Sequence, residues 1–309
     1  TTCKRVDLFK QTMNSILNNW LDINKVDYWF CVDDNSSDED RNNMKISYPW
    51  IDYYMKTLEE KGHRKSMNII WEKLNELKPI YWIHMEDDFL FYNKMNYIEE
   101  AIKIINSEFC KSNNVKQVLF NRNYAETIEH LNTLGHIVEP THDNLALHNY
   151  VNSSFSYQNC HYWPHYSFRP SLIDVNTILE LGNYDSVNTF FELDYANHWY
   201  NAGYRSAFFN MVCCRHIGRL TSDRHDKTKP NSYELNNTSQ FNNTSQFNLS
   251  QSPDPHASHD FNSSTNSIMS NNEIRKSYSP PIKVNTSKKI KVVNLKHRED
   301  RKNIAVKML

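Results

Sequence analysis

The chain of 309 residues carries 35 Lys and Arg against 36 Asp and Glu, a formal net charge of −1, with 39% hydrophobic and 13% aromatic residues. That near-neutral balance argues against a general nucleic-acid binder, and the chain is long enough to bury a sizeable core without disulfide staples. No uninterrupted apolar run reaches membrane-spanning length, and the first residues lack the apolar stretch of a signal peptide.

Thr1, Thr2, Cys3, Lys4 and Arg5 lead into a first helix. Residues 26–32 then form an apolar, aromatic strand that runs directly into Asp33, Asp34, Asn35, Ser36, Ser37, Asp38, Glu39 and Asp40. Carboxylates at such a strand end can accept from a ribose hydroxyl or a base N–H. The same residue types also build an ordinary turn and helix N-cap. Residues 62–68 open a helix whose apolar positions Met67, Ile70, Trp71, Leu74 and Leu77 follow the 3.6-residue period. Its free N–H groups, with His63, Arg64 and Lys65, suit a diphosphate; the alternative is a basic, solvated helix start.

Residues 81–91 are the most informative segment, because Glu86, Asp87 and Asp88 interrupt an apolar and aromatic run. A central strand does not carry three charges midway, so the triplet marks its carboxyl end, where open α/β sheets place ligands. A hard divalent ion with oxygen ligands relieves the repulsion, which points to Mg²⁺ or Mn²⁺. If the two strands ending in carboxylates are parallel neighbours, their ends converge on one crevice. Farther along, Tyr157, His161, Tyr162, Trp163, His165, Tyr166, Phe168 and Arg169 crowd one region. Rings beside polar tips make either a surface on which a sugar face can stack, with Trp163, His165 and Arg169 as its contacts, or simple core. Glu192 and Asp194 stand near the start of a helix, and residues 206–216 read as a late strand ending in His216. The six cysteines, Cys3, Cys31, Cys110, Cys160, Cys213 and Cys214, have no C-x-x-C spacing and read as reduced thiols rather than a zinc site.

The Thr1 to Arg5 turn, the strand ending Asp33-Asp34-Asn35-Ser36 and the Glu86-Asp87-Asp88 triplet, in that order, resemble the GT-A glycosyltransferases that use nucleotide sugars. The resemblance covers roughly residues 1–234 and implies an α/β fold, Rossmann-like, with a mostly parallel central sheet flanked by helices. It implies that Asp34 or Asp33, with Thr2, holds the nucleoside, that Arg5 belongs to the donor site, that Arg64 and Lys65 share the diphosphate charge, and that Glu86 or Asp87 helps the metal there directly or through water. Arg219 and Ser222 would belong to the loop that closes on that diphosphate. Asp88, Glu86 and His216 are the metal ligands it implies, and oxygen ligands joined by one imidazole favour Mn²⁺ with Mg²⁺ as the alternative. Glu192 and Asp194 are the implied catalytic residues on the acceptor side, a general base if the reaction inverts and an orienting or charge-stabilising pair if it retains.

After residue 234 the composition shifts to Asn, Ser, Gln, Thr and Pro, with residues 236–241 repeated directly as 242–247. Residues 235–286 therefore read as a disordered, low-complexity linker whose Asn-x-Ser/Thr triplets arise readily by chance in such a tract. Residues 287–309 read as a short strand entering a basic helix. Asn294-Leu295 followed by Arg298 and Arg301 resembles the opening of the family 25 glycosyltransferases, truncated here. A GT-A module, an Asn-rich linker and that start together resemble the giant-virus bifunctional collagen glycosyltransferases. This implies transfer of glucose from UDP-glucose to galactosyl-hydroxylysine of collagen-like proteins, with retention. Other outcomes are another donor and acceptor, such as UDP-galactose to hydroxylysine, a non-catalytic glycan or nucleotide-sugar binding module, or a two-metal phosphohydrolase or nuclease. The resemblance allows a homodimer; the sequence leaves the location open, with host cytoplasm or virion the alternatives if the chain is viral.

Overall fold

The computed structural model describes residues 1–121, 137–142, 144–148, 150, 164–185, 190–218, 228 and 235, with the backbone path alone for 137–142. Two units divide the chain, Thr1–Ala257 and Ser258–Leu309. All described residues fall in the first; the low-complexity tract beyond Leu235 and the segment 287–309 lie outside the described residues.

The first unit is α/β, a central sheet flanked by helices, as expected. In chain order it contains α1 (Val6–Asn19), β1 (Phe30–Asp33), α2 (Asp38–Ser47), β2 (Asp52–Met55), α3 (His63–Leu77), β3 (Tyr81–His84) and β4 (Phe89–Phe91). There follow α4 (Tyr97–Ile105), α5 (Glu108–Ser112), β5 (Val115–Leu119), β6 (Ile137–His142), β7 (Leu145–His148), β8 (Ser171–Asp174), α6 (Val175–Leu181), α7 (Phe191–Asn201), β9 (Arg205–Phe209) and β10 (Cys214–His216). Six strands pair in the order β3-β8-β5-β9-β7-β6, while β1 pairs with β2 and β4 with β10. The sheet is more mixed than the mostly parallel arrangement expected. Strand β8 runs antiparallel between β3 and β5, and β7 antiparallel between β9 and β6, so β5 with β9 is the parallel pairing of the six. The late strand expected over 206–216 is two strands, because the chain leaves β9 at Phe209 and re-pairs as β10 against β4.

Local sequence explains the elements around the site. Helix α1 buries Phe9, Thr12, Met13 and Ile16, the i, i+3, i+4, i+7 stripe of an amphipathic helix. Helix α2 starts where Ser37 accepts from the Asp40 N–H, with Asp38, Glu39 and Asp40 facing the positive end of the helix dipole. Helix α3 is entered through Gly62 at φ 111°, a conformation open to glycine and strained for other residues. Aromatic packing fixes the sheet between these helices: Trp20 stacks on Tyr97 at 4.9 Å and meets Phe91 and Phe120 edge-on at 5.2 Å. On the other side Met67, Ile70 and Leu74 of α3 join Tyr166, Phe168, Ile173, Tyr195 and Trp199 in a second core.

The two carboxylate-bearing ends do converge, but β1 and β3 are not direct neighbours. The first residues of the chain lie between them. Thr2 N–H donates to Val32 O at 3.1 Å, Asp34 N–H donates to Thr2 O at 2.9 Å, and the Thr1 amine donates to Met85 O at 2.8 Å. Thr2 thus bridges Asp33 in parallel, as a one-residue strand.

Candidate functional site

The acidic triplet occupies the turn between β3 and β4, and α1 holds that turn from beneath. Thr12 Oγ1 donates to Asp87 O at 2.8 Å and accepts from Phe89 N–H at 3.1 Å, and Ser15 Oγ accepts from Phe91 N–H at 3.0 Å. These two hydroxyls sit on the apolar face of α1 and satisfy backbone groups that the turn leaves unpaired. The spacing of Thr12 and Ser15 among Phe9, Met13 and Ile16 was the sequence signal for them.

Asp87 and Asp88 are nearly inaccessible, at 2% and 5% exposure. Asp87 has both oxygens engaged: Oδ2 accepts from Thr2 Oγ1 at 2.8 Å and Cys3 N–H at 3.2 Å, and Oδ1 from Arg5 Nη2. Asp88 Oδ2 accepts from Arg5 Nη1 at 2.8 Å and lies 2.9 Å from His216 Nε2, whereas its Oδ1 is buried with no hydrogen-bond partner among the described residues. Burial by itself raises the Asp88 carboxyl, but His216 and Arg5 outweigh it and hold the group below the usual carboxylate range. Arg5 stays charged although burial opposes it, because Asp87, Asp88 and Glu86 surround it.

The chain returns to this point through β10. Ile217 N–H donates to Asp88 O at 2.7 Å, and the following residue is a glycine for a steric reason. A Cβ on Gly218 would stand 2.4 Å from Asp88 Oδ2 and 2.9 Å from His216 Nε2. The backbone therefore packs directly on the carboxylate-imidazole pair. Gly218 was legible only as a neighbour of His216.

Glu86 is separated from this pair and faces another group of side chains. Its carboxylate keeps 28% exposure and lies 3.7 Å from His63 Nε2. Burial, reinforced by Asp88 and Glu192, pushes Glu86 up to about 8. Glu192, in the first turn of α7, accepts from Phe168 N–H at 2.9 Å, which ties α7 to the aromatic segment; Asp194 is half-buried in the same turn. The structure thus brings Thr2, Arg5, Asp87, Asp88 and His216 into one contact network, with Glu86, His63 and Glu192 beside it.

The other expected residues are placed differently. Asp33 is fully buried, bound to Arg41 Nε at 2.7 Å and to Ser36 N–H at 3.2 Å, so it closes the turn before α2. Asp34 is 5% exposed and paired with the buried Lys56 at 2.8 Å, and it accepts from Gly62 N–H at 3.0 Å. Lys56 and Arg41 were not singled out in the sequence, since neither stands in a motif. Arg64 and Lys65 are exposed on the first turn of α3. His165 is buried, stacked on Tyr200 with ring centroids 5.6 Å apart, and its Nδ1 accepts from Ser206 N–H at 3.3 Å. Arg169 is half-buried. Trp163, Arg219 and Ser222 lie outside the described residues.

Asp88 and His216 fit a divalent cation: a carboxylate whose Oδ2 lies beside the imidazole keeps its Oδ1 buried and without a hydrogen-bond partner among the described residues, and a Cβ on Gly218 would crowd both groups. Among the described residues no three His, Cys, Asp or Glu side chains are drawn together as a ready-made metal cage. Among the described residues, too, no helix is long and apolar enough to cross a membrane, and no two cysteines are joined, Cys3, Cys31, Cys110, Cys213 and Cys214 all being buried.

No protein-family model matches the chain, and no curated protein sequence matches it. Among solved structures the chain is similar to GalNAc-T7 crystallised with UDP, GalNAc and Mn²⁺, with a TM-score of 0.41 and 11% identity over 68% of this chain. The match spans 41% of that structure's length.

Proposed function

We propose that the chain is a metal-dependent transferase that moves a sugar from a nucleotide sugar. The observation that carries this reading is the Asp88–His216 pair at a strand-end turn, with Asp88 Oδ1 buried and without a hydrogen-bond partner among the described residues and Gly218 packed against both. Asp88 and His216 would hold the metal, with Glu86 beside them, and a bound divalent ion supplies positive charge to the departing diphosphate. Arg64 and Lys65, exposed at the start of α3, present cations to the same diphosphate. The sequence resemblance puts Asp34 and Thr2 on the nucleoside side; both are buried and engaged, Asp34 by Lys56 and the Gly62 N–H and Thr2 by Asp87, so they would shape that side rather than offer it free oxygens. Glu192 and Asp194 face the acceptor side and orient its hydroxyl. The donor we assign is UDP-glucose and the acceptor galactosyl-hydroxylysine of collagen-like chains, with retention; this finer assignment rests on the sequence resemblance to the bifunctional collagen glycosyltransferases.

UDP release from UDP-glucose, UDP-galactose and UDP-N-acetylglucosamine, measured with Mn²⁺ or EDTA and with galactosyl-hydroxylysine peptide as acceptor, tests both levels. Acceptor-stimulated, EDTA-sensitive turnover of UDP-glucose supports the full assignment. Turnover of another donor alone removes the collagen assignment and keeps the transferase. Binding of a nucleotide sugar without turnover on any acceptor makes the chain a binding module, and cleavage of nucleic acid or nucleotides without sugar transfer makes it a hydrolase.

A further inference from the structure

We propose that Arg5 is the built-in counter-ion of the acidic turn, and that a divalent cation binds there only by parting Arg5 from Asp88. This rests on the metal-dependent reading above. The guanidinium is 13% exposed and forks across two carboxylates, Nη2 to Asp87 Oδ1 and Nη1 to Asp88 Oδ2 at 2.8 Å. Without it, two adjacent buried carboxylates would keep, among the described residues, only neutral donors on Asp87, Thr2 Oγ1 and the Cys3 N–H, and the His216 imidazole on Asp88.

The two carboxylates differ in what they can release. Asp87 is committed on both oxygens, to Arg5, Thr2 and Cys3, so it serves as the anchor that fixes the first residues of the chain to the β3–β4 turn. Asp88 shares one oxygen between Arg5 and His216 and keeps the other buried without a hydrogen-bond partner among the described residues, in a side chain only 7% exposed. That unused oxygen is the atom Asp88 still has to offer a cation. A doubly charged ion held by Asp88 would repel the guanidinium, whose Nη1 lies 2.8 Å from Oδ2 of the same carboxylate. Arg5 then remains on Asp87, where its second arm already lies. The arginine therefore stabilises the metal-free turn and weakens cation binding.

The test is Mn²⁺ titration of the full chain after EDTA treatment, followed by calorimetry and by the electron paramagnetic resonance signal of free Mn²⁺. Arg5→Gln is expected to bind Mn²⁺ about tenfold more tightly than wild type. Its metal-free melting temperature should be lower and its gain on adding Mn²⁺ larger. A folded Arg5→Gln, judged by circular dichroism, that binds Mn²⁺ equally or more weakly overturns the proposal. Should that variant fail to fold, Arg5→Lys decides. It keeps a charge but cannot fork, so tighter Mn²⁺ binding than wild type supports the role, and equal or weaker binding overturns it. Asp88→Asn separates the two levels: if it binds Mn²⁺ as wild type does, or if neither wild type nor Arg5→Gln binds Mn²⁺, the metal-dependent reading falls as well.

Discussion

Replacing Lys56 by Met removes a buried ammonium that joins three elements. Lys56 is 1% exposed, and its Nζ donates to Asp34 Oδ1 at 2.8 Å, Gly62 O at 2.8 Å and Ser66 Oγ at 2.9 Å. Burial pulls the ammonium below its usual range and Asp34 opposes that pull, so the pair depends on both partners being present. Removing one member of a buried pair costs about 3–5 kcal/mol. Asp34 keeps the Gly62 N–H at 3.0 Å and the Asn35 amide at 3.0 Å, which argues for the lower end of that range. A loss of about 3 kcal/mol lowers the melting temperature of a domain this size by about 6–12 °C. Guanidinium unfolding of Lys56→Met, Asp34→Asn and the double variant measures it. The double variant should be more stable than Lys56→Met by about 1–2 kcal/mol, because the stranded carboxylate is gone. A Lys56→Met loss below about 1 kcal/mol, with no coupling in the cycle, would place the pair among solvent-screened surface bridges and refute the reasoning.

Gly218→Ala should cost about 1–3 kcal/mol by overpacking, since its new carbon must displace Asp88 Oδ2 from 2.4 Å; thermal melting and Mn²⁺-dependent turnover, expected to fall together, check it. Thr12→Val keeps shape but strands Asp87 O and Phe89 N–H, a loss of about 2–4 kcal/mol that Thr12→Ser should largely avoid in the same melt. Asp88→Ala and His216→Ala should each abolish metal-dependent UDP release while circular dichroism stays close to wild type; wild-type turnover in either removes that residue from the ligand set. His165 is 3% exposed, and burial, with Arg205 nearby, lowers its folded value from 6.5 to about 3. A group depressed in the folded state is neutral there while the unfolded chain takes up the proton. Its contribution to stability is therefore intact above 6.5 and shrinks as pH falls toward 3. At about pH 5 the loss is about 2 kcal/mol, and denaturation of wild type and His165→Asn at neutral and acid pH should show the variant losing less. Asn suits the position because His165 has φ 66°.

Much of this organisation was legible in the sequence because it is local. The apolar period of α3, the Ser37 cap of α2 and the end of a strand at Glu86 each follow from residues within a turn or two of one another. The triplet was legible as chemistry, since carboxylates in an aromatic run need a cation, whereas His216 entered through the family resemblance. The Asp33 cluster shows the limit. Its residue types suit a ligand site and a turn equally, and the structure shows Asp33 closing the turn with Ser36 and Arg41.

Tertiary structure alone decided which cation answers which carboxylate. Arg5 meets Asp88 across 83 positions, and Lys56 reaches Asp34 across 22. It also placed β8 antiparallel between β3 and β5, making the sheet mixed where the family resemblance implied a mostly parallel one. The reason is physical. Periodicity and capping report how a segment satisfies itself against its own backbone, whereas a buried charge is satisfied by whatever the fold carries through space to within hydrogen-bond reach.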